Sequence, residues 1–171
     1  PIPEALTRIT EMNAEILTTS DNNEAVAGAD VLVLATKPQT LRAVAESLAP
    51  SLKGNTPLVI SIAAGLLERD INRWLGGDLP VVRCMPNTPA LVGQGATGLT
   101  ANALVTNDQR QLAENLLQAV GICVWVASEE QLDAITALSD SGPAYLVLLM
   151  ESMEKAGIEL GLCPGVARQL S

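Results

Sequence analysis

Three short apolar runs, set between amphipathic stretches, constrain the fold of this chain most. "DVLVLAT", residues 30–36, is continuous, rich in Val and Leu, and too short for a stable helix. Such a run reads as a strand buried on both faces. "PQTLRAVAESLAP" follows it with Leu41, Val44, Ala45 and Leu48 on one helical side. "PLVISIAAG", residues 57–65, reads as a second buried strand, and "LLERDINRWLGG" as a helix stopped by two glycines. "LPVVRCMP" is a third strand. Buried strands alternating with amphipathic helices are the pattern of a parallel, doubly wound α/β sheet.

Before these runs, "PEALTRITEMNA" spaces Leu6, Ile9 and Met12 along one helical face, "EILTT" reads as a short strand, and "SDNNEAVAGAD" as a capped helix ending near Gly28. After residue 95 come a strand, "ATGLTA", a helix, "NDQRQLAENLLQAVG", capped by Thr106 or Asn107, and a strand, "ICVWVA". Then the pattern changes: "SEEQLDAITALS" and "SGPAYLVLLMESMEKAGIELG" are helices with no strand between them. The second carries a broad apolar stripe through Ala144, Val147, Leu148, Met150, Met153 and Ile158. A boundary therefore falls near residue 128, with an α/β part over 1–127 and the start of an all-helical part over 128–171. "CPGVARQLS" reads as the opening turns of a further helix.

Composition excludes several function classes. The 171 residues carry a net charge of −9, which lacks the basic footprint that nucleic acid or an anionic membrane surface requires. No apolar stretch approaches the roughly 18 residues of a membrane span. "PIPEALTRIT" has no basic n-region, so a signal peptide is not expected, and a first residue other than Met suggests a processed or truncated chain. There is no His, which removes the Ser-His-Asp and Cys-His nucleophile systems and the usual zinc sites, so no metal is expected. Cys84, Cys123 and Cys163 lie far apart without a C-x-x-C and read as reduced thiols of a cytoplasmic protein.

Four stretches can carry chemistry. "GQGATG" matches a G-x-G-x-x-G pattern at Gly93, Gly95 and Gly98, but no helix opens on it, so it reads as a glycine-rich bend rather than a phosphate cradle. "LATKPQ" puts Lys37 at the carboxyl end of a strand, the edge where open α/β sheets bind ligands, with Pro38 in the first turn of the next helix. "SIAAG" ends the following strand in small residues, which suit either helix–sheet packing or a flat ring lying over the edge. In "MPNTP", Pro86 and Pro89 stiffen a loop that holds Asn87 and Thr88, either a rigid connector or a polar wall. Ser139-Asp140-Ser141-Gly142-Pro143 opens the apolar helix, with Ser141 or Asp140 expected to cap it and Pro143 at its first position.

Taken together, "ATKPQ", "SIAAG", "RCMPNTPALVGQGATGL", "EEQLDAITALSDSGPAY" and "AGIELGL" resemble the pyrroline-5-carboxylate reductase family along essentially the whole chain. The resemblance implies a partial Rossmann-like domain followed by the start of a helical dimerisation and substrate domain. It implies NADPH- or NADH-dependent reduction of 1-pyrroline-5-carboxylate to L-proline, the last step of proline biosynthesis, in a homodimer or higher homo-oligomer. It places Asn22 near the adenosine side of the cofactor, Ala35, Thr36, Lys37 and Pro38 along the nicotinamide nucleotide, and Ala64 near the nicotinamide. It makes Glu129 the catalytic candidate, beside the ring nitrogen, where its charge would favour the iminium form. Asn87 and Thr88, with Ser141 and Gly142, line the substrate cleft. Family members also carry a glycine-rich loop before the matched region and long helices after it, so the chain is expected to be an internal fragment. Where the family reads S-G-S-G-P-A-Y, this chain has Asp140, which must turn away from a carboxylate substrate or weaken its binding. Two other readings stay open: another NADP-dependent reductase of similar layout, such as a hydroxyacid dehydrogenase, and an inactive scaffold or interaction module.

Overall fold

A computed structural model of the chain describes residues 3–171. They form two compact units. One holds the described residues up to Cys84 together with Thr100–Glu114; the other holds Met85–Leu99 and Asn115–Ser171. The boundary drawn near residue 128 lies inside the second unit.

In the first unit, helix α1 (Pro3–Met12) and the short α2 (Asn22–Val26) precede strand β1 (Val31–Leu34). Helix α3 (Pro38–Leu48), strand β2 (Leu58–Ser61), helix α4 (Glu68–Trp74) and strand β3 (Val81–Met85) follow. The strands pair in parallel, β1 with β2 in the register Leu34↔Ser61 and β2 with β3 in the register Ser61↔Arg83. This is the doubly wound, Rossmann-like arrangement that the alternating pattern implies. Leu41, Ala45 and Leu48 of α3, Ile71 of α4 and Leu75 just after it are buried against Leu32, Leu34, Val59 and Val81. Each buried Leu, Ile or Val among them contributes about 1.5–3 kcal/mol by leaving water. Asp21 caps α2 by accepting from Asn23 N at 2.8 Å. After α4, Gly76 and Gly77 take φ of 107° and 87°, a turn that stops the helix and that side-chain-bearing residues resist.

Two expectations fail here, in each case because a partner surface rather than the local sequence decides the outcome. Residues 15–19 form no strand; Leu17 is 96% exposed, and no strand pairs with them among the described residues. Helix α1 forms where its periodicity predicts, yet none of its side chains is buried. Strand β1 is not buried on both faces: Leu32 and Leu34 turn into the core while Val33 is 54% exposed. Strands β2 and β3 are buried throughout.

The second unit takes the chain from the end of β3 through a 3-10 turn (Thr88–Val92) into strand β4 (Gly95–Ala101), whose last residues return to the first unit with most of helix α5 (Asn107–Gln118). Thr106 caps α5: Gln109 N donates to its hydroxyl at 3.2 Å, and Thr106 N donates to Gln109 Oε1 at 3.0 Å. Strand β5 (Gly121–Trp125) pairs in parallel with β4. A Cβ on Gly121, whose φ is 148°, would collide with the Gly95 backbone, so both positions need glycine. Four helical segments complete the unit: α6 (Glu129–Ile135), a π-turn (Thr136–Asp140), α7 (Gly142–Glu159) and α8 (Pro164–Leu170). Gly157 admits Ala167 against α7. No helix among the described residues is long and apolar enough to cross a membrane.

Candidate active site

The first unit collects one group of candidate residues. Ile62 N donates to Leu34 O at 3.2 Å, which sets the segment after β2 beside the segment after β1. Ala35, Thr36, Lys37 and Pro38 therefore share the carboxyl edge of the parallel strands with Ala64. Ala35, Lys37 and Ala64 are exposed. Lys37 is the N-cap residue of α3 in an extended conformation, with Pro38 at the first helical position and no side chain capping the helix. Thr36 Oγ1 is buried and has no hydrogen-bond partner. A buried hydroxyl without a partner costs on the order of 1–3 kcal/mol, so its presence at this edge needs a reason. An unpaired hydroxyl, an exposed ammonium and an uncapped helix N-terminus together fit a phosphate-bearing nucleotide.

Asn22 is not drawn into that group. It opens α2, and its neighbour Asn23 accepts from Ser51 Oγ at 2.7 Å. Ser51 lies beyond Leu48, at the opposite end of α3 from Lys37.

The second unit collects the other group. Asn87 Nδ2 donates to Ser139 O at 2.8 Å, and Asn87 Oδ1 accepts from Ala96 N at 2.8 Å. The "MPNTP" loop and the elbow before α7, 52 residues apart, thus meet in space. Thr88, Asp140, Pro143 and Ala144 line a recess of about 350 Å³, with Val147, Leu148 and Glu151 along α7. Thr88 is exposed and Ser141 and Gly142 are half-buried. Asp140 lines this recess rather than turning from it. With Glu151 it makes the wall acidic.

Ser141 does not cap α7. Its φ and ψ, −80° and −28°, are helical, and it makes no side-chain cap hydrogen bond. The chain passes from α6 into α7 through the π-turn, where Ser141 N donates to Thr136 O at 2.9 Å. Only an interrupted helix start needs a side-chain cap. Glu129 is half-buried at the first position of α6 and does not line the recess. The helical path from Glu129 to Asp140 spans about 16 Å at 1.5 Å per residue. Its neighbour Glu130 is held below the ordinary carboxylate range by hydrogen bonds from Ser128 and from its own backbone.

"GQGATG" is structural. Gly93 closes the 3-10 turn with φ 71°, and Gly95 and Gly98 lie within β4. A Cβ on Gly98 would overlap the Ile135 side chain of α6.

These features define a class: a Rossmann-like α/β fold with a nucleotide-fitting strand edge, followed in the chain by an apolar helical region. The comparisons narrow it. A family model for NADP oxidoreductase, coenzyme F420-dependent, matches residues 3–65, and one for pyrroline-5-carboxylate reductase dimerisation matches residues 129–171. The chain is 55% identical over 150 residues to a pyrroline-5-carboxylate reductase of Pseudomonas aeruginosa, covering 88% of this chain and 55% of that protein. It superposes on a pyrroline-5-carboxylate reductase from Coxiella burnetii with a TM-score of 0.89 and 45% identity, covering 98% of this chain and 62% of that one. The Plasmodium falciparum pyrroline carboxylate reductase with NADP bound gives a TM-score of 0.82 and 32% identity, over 89% of this chain and 57% of that one. Over the stretch it spans, the chain belongs to the pyrroline-5-carboxylate reductase family. It spans little more than half the length of the Pseudomonas relative.

Proposed function

We propose that the protein carrying this chain reduces 1-pyrroline-5-carboxylate to L-proline with NADPH or NADH, in the cytoplasm, as a homodimer or larger homo-oligomer. The 55% identity to a pyrroline-5-carboxylate reductase across 88% of the chain carries this reading. The dinucleotide, when bound, supplies the hydride that converts the C=N bond to an amine. Lys37 offers a charge partner for its phosphates, and Thr36 a hydroxyl on the same edge. Ala35 and Ala64 leave that edge open to a flat ring, because neither projects beyond Cβ.

Thr88, with Ser141 and Gly142 of the elbow, holds the imine at the recess, where placement of the reacting carbon matters more than proton transfer by the protein. The lack of any His is compatible with this chemistry, since a protonated ring nitrogen already makes the carbon electrophilic. The exposed apolar run Tyr145–Met150 supports self-association, as does the match to a dimerisation model over 129–171.

The test mixes the purified protein with NADPH and 1-pyrroline-5-carboxylate. Saturable loss of nicotinamide absorbance with formation of proline is expected. Turnover of a 2-hydroxy acid with NADP and none of the imine would replace this reading with that of a hydroxyacid dehydrogenase.

A further inference from the structure

We infer that Asn87 is a positioning residue, whose carboxamide replaces the helix N–H that Pro143 denies to the Ser139 carbonyl and so fixes the elbow at Asp140–Gly142. In a continuous α-helix the carbonyl of residue 139 would accept from the N–H of residue 143. Residue 143 is proline, which has no N–H and whose ring clashes with the carbonyl four residues back. The π-turn over Thr136–Asp140 widens the helical path just there, with Ser141 N reaching back five residues to Thr136 O at 2.9 Å. The widening relieves the clash but leaves the Ser139 carbonyl without a helical donor. Asn87 Nδ2 supplies that donor at 2.8 Å.

The other end of the carboxamide is committed as well, because Asn87 Oδ1 accepts from Ala96 N in β4 at 2.8 Å. Only one orientation of the amide satisfies both bonds, since one partner is a carbonyl and the other an N–H. Of the two N–H groups on Nδ2, one is thereby committed to Ser139 O, and the side chain is fixed in place by both bonds. Its neighbour Thr88 lines the recess together with Asp140 and Pro143. One side chain thus sets the loop, the start of β4 and the elbow in a common register, and the recess walls depend on it.

The structural half of this inference stands on the geometry alone; the kinetic half rests on the proposed function. Asn87→Asp keeps an acceptor for Ala96 N and loses the donor to Ser139 O, while Pro143→Ala returns an N–H to residue 143. Thermal unfolding is measured for both single variants and the double variant, in the protein that carries this chain. Asn87→Asp is expected to lower Tm by about 3–6 °C, and by less than half as much in the Pro143→Ala background. Equal losses in both backgrounds would overturn the inference. In NADPH-dependent turnover, Asn87→Asp is expected to raise KM for the imine roughly tenfold and leave KM for NADPH within about twofold. An unchanged KM for the imine removes the positioning role. If the unmodified protein does not turn over the imine, the functional reading falls, and the Tm cycle still decides whether Asn87 answers Pro143.

Discussion

Asn102 Nδ2 donates to Glu68 Oε1 at 2.8 Å, tying the residue just after β4 to the first turn of α4. The same carboxamide also donates to Leu79 O at 2.9 Å and accepts from Val81 N at 3.1 Å. Asn72 reinforces the turn by accepting from Leu79 N at 3.1 Å. These bonds hold the entry to β3, and the parallel sheet edge depends on where β3 begins. Asn102→Ala is expected to destabilise the protein by about 2 kcal/mol, because several half-buried backbone groups lose their partner. Asn102→Asp should cost more, since it removes the donors and faces Glu68 with a like charge. Urea unfolding with an unchanged m-value measures both.

Thr36 gives a test of opposite sign for stability and binding. Its buried hydroxyl has no partner in the chain. Thr36→Val keeps the shape and removes the unpaired oxygen, so the free protein should be as stable or more stable, by up to about 1 kcal/mol. NADPH binding should weaken about threefold to tenfold if this hydroxyl serves the nucleotide. Titration of nicotinamide fluorescence reads the second effect, and unchanged affinity would return Thr36 to a packing role.

Asp140 and Glu151 give the recess beside Thr88 an acidic wall. A substrate carboxylate held there is repelled, by an amount that solvent and salt reduce. Asp140→Gly, which restores the residue the family resemblance leads one to expect, should lower KM for 1-pyrroline-5-carboxylate about threefold to tenfold. The gain should shrink at high salt. A KM unaffected by the substitution at low salt would mean that the carboxylate binds elsewhere.

Much of this architecture is legible in the sequence because it rests on local rules. The runs at 57–65 and 79–86 hold the buried strands β2 and β3, Leu41, Ala45 and Leu48 face the core as their spacing requires, and Thr106 with Gln109 forms the cap of α5. What is not legible depends on partners distant in the chain. "EILTT" has strand composition, but a ladder needs a neighbour. Asn87 looks like a free polar side chain until Ser139 and Ala96 are found on either side of it. Gly98 looks like part of a bend, yet its lack of a side chain serves close approach by Ile135. Ser141 and Pro143 spell a helix start, and the structure instead runs one helical path through them by opening a π-turn.

Glu129 is expected from the resemblance to act beside the substrate nitrogen, and it opens α6. A carboxylate in a helix's first turn stabilises the macrodipole by about 0.3–1 kcal/mol. Glu129→Gln is therefore expected to lower stability by no more than that, while a role at the nitrogen predicts a tenfold or greater loss of kcat/KM. A kcat/KM kept within about threefold would remove that role. Glu130 offers a companion measurement. Its carboxyl is held low by Ser128, so its contribution is complete above the ordinary carboxylate pKa and fades as pH falls through the lowered value. Ser128→Ala should remove that acid-side dependence.

The apolar surface of α7 sets the last expectation. Tyr145, Leu146, Val147, Leu148, Leu149 and Met150 are consecutive, and each is more than half exposed. Consecutive residues step by about 100° around a helix, so this run faces every direction. A partner lying along one side cannot cover it; more than one surface must close around the helix. Contiguous apolar area of this kind is not left in water by a stable monomer. If a second copy of the chain provides the cover, sedimentation should show a dimer or larger assembly without free monomer at micromolar concentration. Leu149→Glu should then shift the protein to monomer, raise binding of a hydrophobic dye, and lower Tm in a concentration-dependent way. A wild-type protein that sediments as a monomer and binds no dye would refute self-association through α7.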